Sequence, residues 1–266
     1  MFSDPSLWMC RLLFVGLVVE ACEIFKLLHS FDTKGMFSTA TVSIMTGRSR
    51  WQLIMSALFG NKFPIAFAMT IQALAAITVI IEGLHTRAGI LAALICLVTN
   101  AFLRSRKQIG GSGAEQLTFI VLVTFGLVLL AGGTDDARHI GDYFIAGQVV
   151  LAYVASGIAK AVSPIWRNGG AMAGILSTGG YGTPGLARLL SAHPKLDWLL
   201  CWSVIGWEIA FPLALFVPKP AMLTILGIGI LFHASCAFLM GLNRFVWAFC
   251  GCYPAIWTTA LLFRRA

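Results

Sequence analysis

Charge is what this sequence has least of. Only 11% of its 266 residues are Asp, Glu, Lys or Arg, against 58% apolar residues and a mean hydropathy of +0.85. A soluble globular domain carries about 25% charged residues to cover its surface. A soluble domain of this length could bury a core but would lack the charge to clothe it. Lipid removes that requirement. Nucleotide and hydrolase signatures are also missing: there is no P-loop, no dinucleotide glycine fingerprint, no HExxH and no GxSxG. The run Gly110-Gly111-Ser112-Gly113 lacks the Lys-Ser/Thr of a phosphate loop and reads as a flexible turn before an apolar stretch. The seven cysteines, all in apolar stretches, show neither a disulfide framework nor zinc spacing. They read as small apolar residues among helices.

The net charge of +8 does not point to nucleic acid. Its basic residues sit in short clusters at the ends of apolar runs, such as Arg104, Arg106 and Lys107, or Arg264 and Arg265. That is the pattern of membrane flanks, where cations reach headgroups and set topology.

What the chain does have is long apolar runs. About 20 such residues are needed to cross the hydrocarbon core. Eight candidate spans follow, at 7–29, 63–84, 88–104, 115–132, 142–162, 197–216, 221–241 and 245–263. The predicted fold is therefore all-α, a polytopic transmembrane helical bundle of about eight spans in one domain over residues 1–266. The first run carries Glu20 and Glu23 and lacks a small-residue cleavage site, so it reads as a retained helix. Residues 36–60 are only partly apolar, and residues 164–195 are rich in Gly, Ser and Pro. Both read as interfacial or re-entrant elements, one or two helices along the membrane surface. Neither is long enough for a soluble domain.

The loops after odd-numbered spans hold more basic residues than the others, including Arg48, Arg50, Arg104, Arg106, Lys107 and Arg167. The positive-inside rule puts those loops in the cytoplasm.

Ionisable groups inside a bilayer cost about 2.5–3.5 kcal/mol each on insertion scales, so they are the first place to look for function. In the first span Glu20, Glu23 and Lys26 recur every third residue. Glu23 and Lys26 can pair, leaving Glu20 to find another partner. The group reads either as a charge network tying helices together or as a proton or cation path.

In the fifth span Tyr153, Ser156, Gly157 and Lys160 share one helical face, and Pro164 stops the helix just after it. Trp166 is a natural interface anchor. Lys160 is either a snorkelling cation at a helix C-terminus or a partly desolvated amine able to act as a general base. Glu208 lies one turn before Pro212, which frees a backbone carbonyl and makes a polar niche in mid-membrane. His233 lies deep in the seventh span, as a hydrogen-bonding tie or a ligand-facing group. No second histidine stands at metal-ligand spacing, so no metal site is supported.

Three stretches resemble one family. YVASGIAKAVSPIWRNGGAM from Tyr153, WSVIGWEIAFPLALFV from Trp202 and FHASCAFLMGLNRFVWAFCGCYPAIW from Phe232 are similar, in order, to hallmarks of the HTTM family. These are membrane domains like that of the vitamin K-dependent γ-carboxylases. The resemblance implies Lys160 as the catalytic base, with Tyr153, Trp166, Glu208 and His233 lining a substrate pocket. It also implies a reduced quinone as cofactor. The carboxylases carry a histidine just before the span corresponding to residues 115–132, where this chain has Glu115 and Gln116. They also carry a large soluble region with no counterpart in these 266 residues. Stand-alone bacterial members are more similar, among them proteins needed to mature a secreted peptide toxin of the sporulation-delaying type. That implies a bacterial plasma membrane, with a secreted peptide or its accessory protein as partner. By this resemblance the Lys160 end faces outward, opposite to the charge count.

Two other functions remain open on the residues alone. One is a non-enzymatic scaffold, export or immunity partner of a secreted peptide. The other is a small proton-coupled carrier using Glu20, Glu23 and Glu208.

Overall fold

The computed structural model describes residues 5–32, 34–38, 41, 60–107 and 111–264. All regular structure among them is helical. The chain forms two compact units, Met1–Ala137 and Arg138–Ala266.

The first unit holds α1 (Pro5–Lys26), a 3-10 turn (Leu28–Phe31), α2 (Phe63–Glu82), α3 (Arg87–Arg106) and α4 (Gly113–Leu130). Successive helices pack on one another, α1 on α2, α2 on α3 and α3 on α4. Phe14 stacks on Phe125, with ring centroids 6.4 Å apart. Ile24, Phe31, Phe37, Ile65, Met69 and Leu103 bury a second apolar cluster. The expected flexible turn before α4 ends in a formed capping box. Ser112 Oγ accepts the Glu115 N–H at 3.2 Å, and the Glu115 carboxylate accepts the Ser112 N–H at 3.3 Å. Two orphan donors at the helix start are satisfied this way, which fixes where α4 begins.

The second unit takes most of α5 (Asp135–Val162), then three short helices, α6 (Pro164–Arg167), α7 (Ala171–Leu176) and α8 (Pro184–Ala192). α9 (Pro194–Ala210) runs into a 3-10 turn (Phe211–Leu215), followed by α10 (Lys219–Met240). α11 (Asn243–Phe245) leads through a π turn (Val246–Cys250) to α12 (Tyr253–Phe263). The change of helix type at Phe211 follows from Pro212, which has no N–H to give the Glu208 carbonyl.

Seven helical stretches among the described residues are long and apolar enough to cross a membrane: α2, α3, α4, α5, Pro194–Leu215, α10 and Asn243–Phe263. They match seven of the eight expected spans. At the remaining expected span, 7–29, stands α1, a helix of 22 residues that carries Arg11, Glu20, Glu23 and Lys26. α5 has 28 residues, starting seven before the expected boundary, because Asp135 and Asp136 in its first turn favour the helix N-terminus.

Large apolar side chains face outward along these helices. Phe238 is 90% exposed and Leu130 84%. A water-soluble bundle would bury such residues, whereas a lipid-facing surface presents them. The chain is an all-α integral membrane protein in contact with the bilayer.

Residues 164–195 form α6, α7 and α8 rather than a further span. Ala173, Leu176, Ala187 and Leu190 pack with Leu200, Leu239 and Met240, which seats these short helices on the ends of α9 and α10. The Asp197 carboxylate, buried, accepts the Ala173 N–H at 3.2 Å and the Cys201 thiol at 3.4 Å, and Thr183 donates its hydroxyl proton to the Leu239 carbonyl. The other expected interfacial element, 36–60, lies almost wholly outside the described residues.

Candidate functional site

The second unit gathers the predicted site residues from α5, α6, α9 and α10. The face of α5 carrying Tyr153, Ser156, Gly157 and Lys160 turns toward α9. Close approach there depends on Gly157. A Cβ at that position would stand 2.8 Å from Ile209 Cγ1 and 3.1 Å from both Glu208 Cβ and the Ile209 backbone nitrogen.

At the Lys160 end, the ammonium meets both oxygens of Glu208, at 2.9 Å and 2.8 Å. It also donates to Ser156 Oγ at 2.5 Å, and Ser156 in turn donates to Glu208 at 3.3 Å. The Glu208 side chain is 4% exposed and that of Lys160 18%. Trp166 of α6 completes the surround, with the Lys160 ammonium 5.2 Å from its ring centroid. The stop at Pro164 brings this about, because the chain turns and lays Trp166 back over the last turn of α5. This is a buried, hydrogen-bonded ion pair. Taking one partner away would leave the other charged and desolvated.

Two turns earlier on the same face, the Tyr153 hydroxyl lies 2.5 Å from His233 Nε2 and 2.8 Å from the Tyr253 hydroxyl. Tyr153 and His233 are each 2% exposed, and Tyr253 5%. Aromatic rings wall this half. Around Tyr153 stand Phe211 at 4.1 Å, Trp207 at 4.9 Å and Phe249 at 5.3 Å between centroids. Phe249, in the π turn, also stacks on His233 at 4.8 Å. π turns insert one extra residue per turn and recur at functional sites.

Gly229 makes room on α10. A Cβ there would fall 2.0 Å from the Tyr253 hydroxyl and 3.0 Å from Trp207 Cζ2. In the tautomer in which Tyr153 donates to Nε2, His233 carries its hydrogen on Nδ1. That buried nitrogen and Trp207 Nε1 have no hydrogen-bond partner among the described residues.

The five residues to which the resemblance gives a role, Tyr153, Lys160, Trp166, Glu208 and His233, are thus in this unit, in two neighbouring groups along α5. Tyr253 was not singled out, although it lies within the third resembling stretch. A lone tyrosine after Cys-Gly-Cys carries no periodic signal, and only the fold brings it to Tyr153.

The first unit holds a separate polar cluster. Glu20 Oε2 accepts from Gln72 Nε2 and from Asn100 Nδ2, each at 3.0 Å, and Thr99 donates to Gln72 Oε1 at 3.2 Å. These residues come from α1, α2 and α3 and are all buried. Glu20 finds the partners that its spacing left open, and they are neutral amides in apolar runs that the sequence reading passed over. Lys26 is exposed, and Glu23 is half-buried. Glu115 is paired with Lys107 at 2.5 Å.

Comparison with protein-family models, curated proteins and solved structures finds no match for this chain.

Proposed function

We propose that this chain is an HTTM-like membrane enzyme in which the Lys160–Glu208 pair moves a proton to or from a lipid-soluble or peptide substrate. The observation that carries this reading is the bidentate, buried Lys160–Glu208 contact, on the face of α5 that also bears Tyr153. An ammonium already paired is not a base. Its partner can make it one: within the hydrogen bond, Lys160 passes a proton to Glu208, and the neutral amine at Nζ can then accept a proton from an acidic O–H or N–H of the substrate. In a medium of low dielectric the neutral pair is not far from the charged one, because separated charges are poorly solvated there. Ser156 holds the amine in place through both exchanges.

The unpartnered polar atoms of the aromatic half support a reduced quinone as the cofactor on this reading. Trp207 Nε1 and, in the tautomer that takes the Tyr153 proton on Nε2, His233 Nδ1 are buried donors without a partner among the described residues, suited to oxygen acceptors among the rings of Tyr153, Phe211 and Phe249. With O₂, such a quinol supplies a strong base for carboxylase-like chemistry. The residues named would hold and orient it while the surrounding rings exclude water. The setting by resemblance is a bacterial plasma membrane, with a secreted peptide as substrate.

The test uses the full chain in nanodiscs with a reduced naphthoquinone, measuring O₂ uptake and quinol loss. Wild type should consume both, and Lys160→Gln paired with Glu208→Gln, which leaves no lone charge, should not. Unchanged turnover in that double variant, or none in wild type, sinks the reading.

A second reading is favoured by one feature, the full satisfaction of Lys160, Ser156 and Glu208 by one another. It makes the pair a helix tie in a non-enzymatic scaffold, export or immunity partner of a secreted peptide. Purification with a stoichiometric bound protein and no small molecule would support it.

A further inference from the structure

Arg106 ends α3 with only 3% of its surface exposed, and neither terminal nitrogen of its guanidinium has a hydrogen-bond partner among the described residues. The neighbouring cations are engaged. Arg104 stands 4.8 Å over the Phe119 ring, and Lys107 is bonded to Glu115 while lying 5.8 Å from the Phe37 centroid. A guanidinium remains charged at every pH a protein meets. It cannot escape burial by losing a proton, as a lysine can. A buried charge is kept in a fold when something pairs with it.

The place of Arg106 says what that something is. Leu103, three residues earlier on the same side of α3, is buried among Phe31, Phe37, Ile65 and Met69. Arg106 therefore sits at the edge of an apolar cluster, in the last turn of a membrane-length helix. The same end of this unit collects Lys62 ahead of α2 and Lys107 after α3, and Asp32 and Glu115 pair with those two rather than with Arg106. The planar fork of a guanidinium matches two oxygens of a phosphate or carboxylate. Basic recesses at helix ends near the membrane surface take lipid headgroups.

We propose that Arg106 is the base of an oxyanion site that takes a phosphate group at this end of the N-terminal unit, from a lipid headgroup or from solution. The two free nitrogens each donate to one phosphate oxygen, and Lys62 and Lys107, paired with Asp32 and Glu115, leave that charge to Arg106.

The experiment uses the full chain purified in a neutral detergent. Native mass spectrometry and thermal unfolding are followed on addition of phosphatidylglycerol, phosphatidylcholine or inorganic phosphate, for wild type, Arg106→Gln, Arg106→Lys and the exposed control Arg87→Gln. Wild type and Arg87→Gln should bind a phosphate-bearing ligand about tenfold or more tightly than Arg106→Gln does. Preference for phosphatidylglycerol over inorganic phosphate identifies a lipid as the source, and equal protection by inorganic phosphate identifies a free anion. If Arg106→Gln does not fold, Arg106→Lys, which keeps the charge and loses the fork, should bind more weakly than wild type. Failure of wild type to bind either phosphate source, or equal binding by the Arg106 variants, overturns the site.

Discussion

Gly229→Ala is the sharpest probe of the aromatic half-site, because the structure says which atom the new methyl meets. The Cβ would lie 2.0 Å from the Tyr253 hydroxyl, 2.9 Å from its Cζ and 3.0 Å from Trp207 Cζ2. None of these groups is a loose end. Tyr253 is 5% exposed, its ring packs on Phe211 at 5.9 Å and its hydroxyl bonds Tyr153. The ring must move, and the Tyr153–Tyr253 hydrogen bond goes with it. Overpacking of this kind costs about 1–3 kcal/mol, and the hydrogen bond about 0.5–1.5 kcal/mol. The two together come to about 1.5–4.5 kcal/mol. Tyr253→Phe removes the hydroxyl and with it the worst contact, but leaves the ring carbon and Trp207 close. The double variant should therefore recover part of the loss, with a coupling of about 1–2 kcal/mol toward recovery. The assay is unfolding in mixed detergent, titrated with dodecyl sulfate and followed by tryptophan fluorescence, since Trp207 is at the contact. Wild-type stability in Gly229→Ala, or strict additivity of the two changes, would refute the proposed Tyr253–Gly229 fit.

Four further outcomes follow. Lys160→Ala should destabilise by about 3–5 kcal/mol, because Glu208 is left charged and buried, and Lys160→Met with Glu208→Gln should recover most of that in the same unfolding assay. Gly157→Ala should cost about 1–3 kcal/mol by driving α5 from α9, and a crosslink between cysteines placed at 156 and 208 should form more slowly in that background. Gln72→Leu should cost about 1–3 kcal/mol through the donor it removes from Glu20, whereas Gln72→Glu should cost more at neutral than at acid pH, since two facing carboxylates repel. A single cysteine at Gly180 in a cysteine-free background should be labelled by an impermeant maleimide only from the cytoplasmic side, as the positive-inside count requires; labelling only from outside would reverse the orientation and match the HTTM resemblance instead.

Much of this architecture was legible because a bilayer imposes simple demands. Apolar length alone located seven helices, with ends off by a few residues where capping, as at Ser112, or an acidic first turn, as at Asp135, decides the start. The face of α5 was legible too, since Tyr153, Ser156, Gly157 and Lys160 follow the helical repeat. Partners across helices were harder. Lys160 and Glu208 are 48 residues apart, and no local pattern joins them. Gln72 and Asn100 look like isolated polar substitutions until α1 brings Glu20 between them. The short helices of 164–195 were read as an interfacial element because Gly and Pro obscure periodicity. Their seating on α9 and α10 depends on Asp197, a single buried carboxylate.

The two halves of the candidate site differ in a way that constrains any substrate. Lys160, Ser156 and Glu208 satisfy one another, while His233 Nδ1 and Trp207 Nε1 lack partners among the described residues. On the proposed reading, recognition belongs to the aromatic half and proton movement to the ion-pair half. Tyr153 and Lys160 are seven residues apart on one helix, a rise of about 10 Å. A molecule held by His233 and deprotonated by Lys160 must be extended along α5, with its hydrogen-bond acceptor and its acidic group at opposite ends. A compact ligand would engage only one half. Then Tyr153→Phe and Lys160→Gln would each affect a different step, and their effects on binding and turnover would separate.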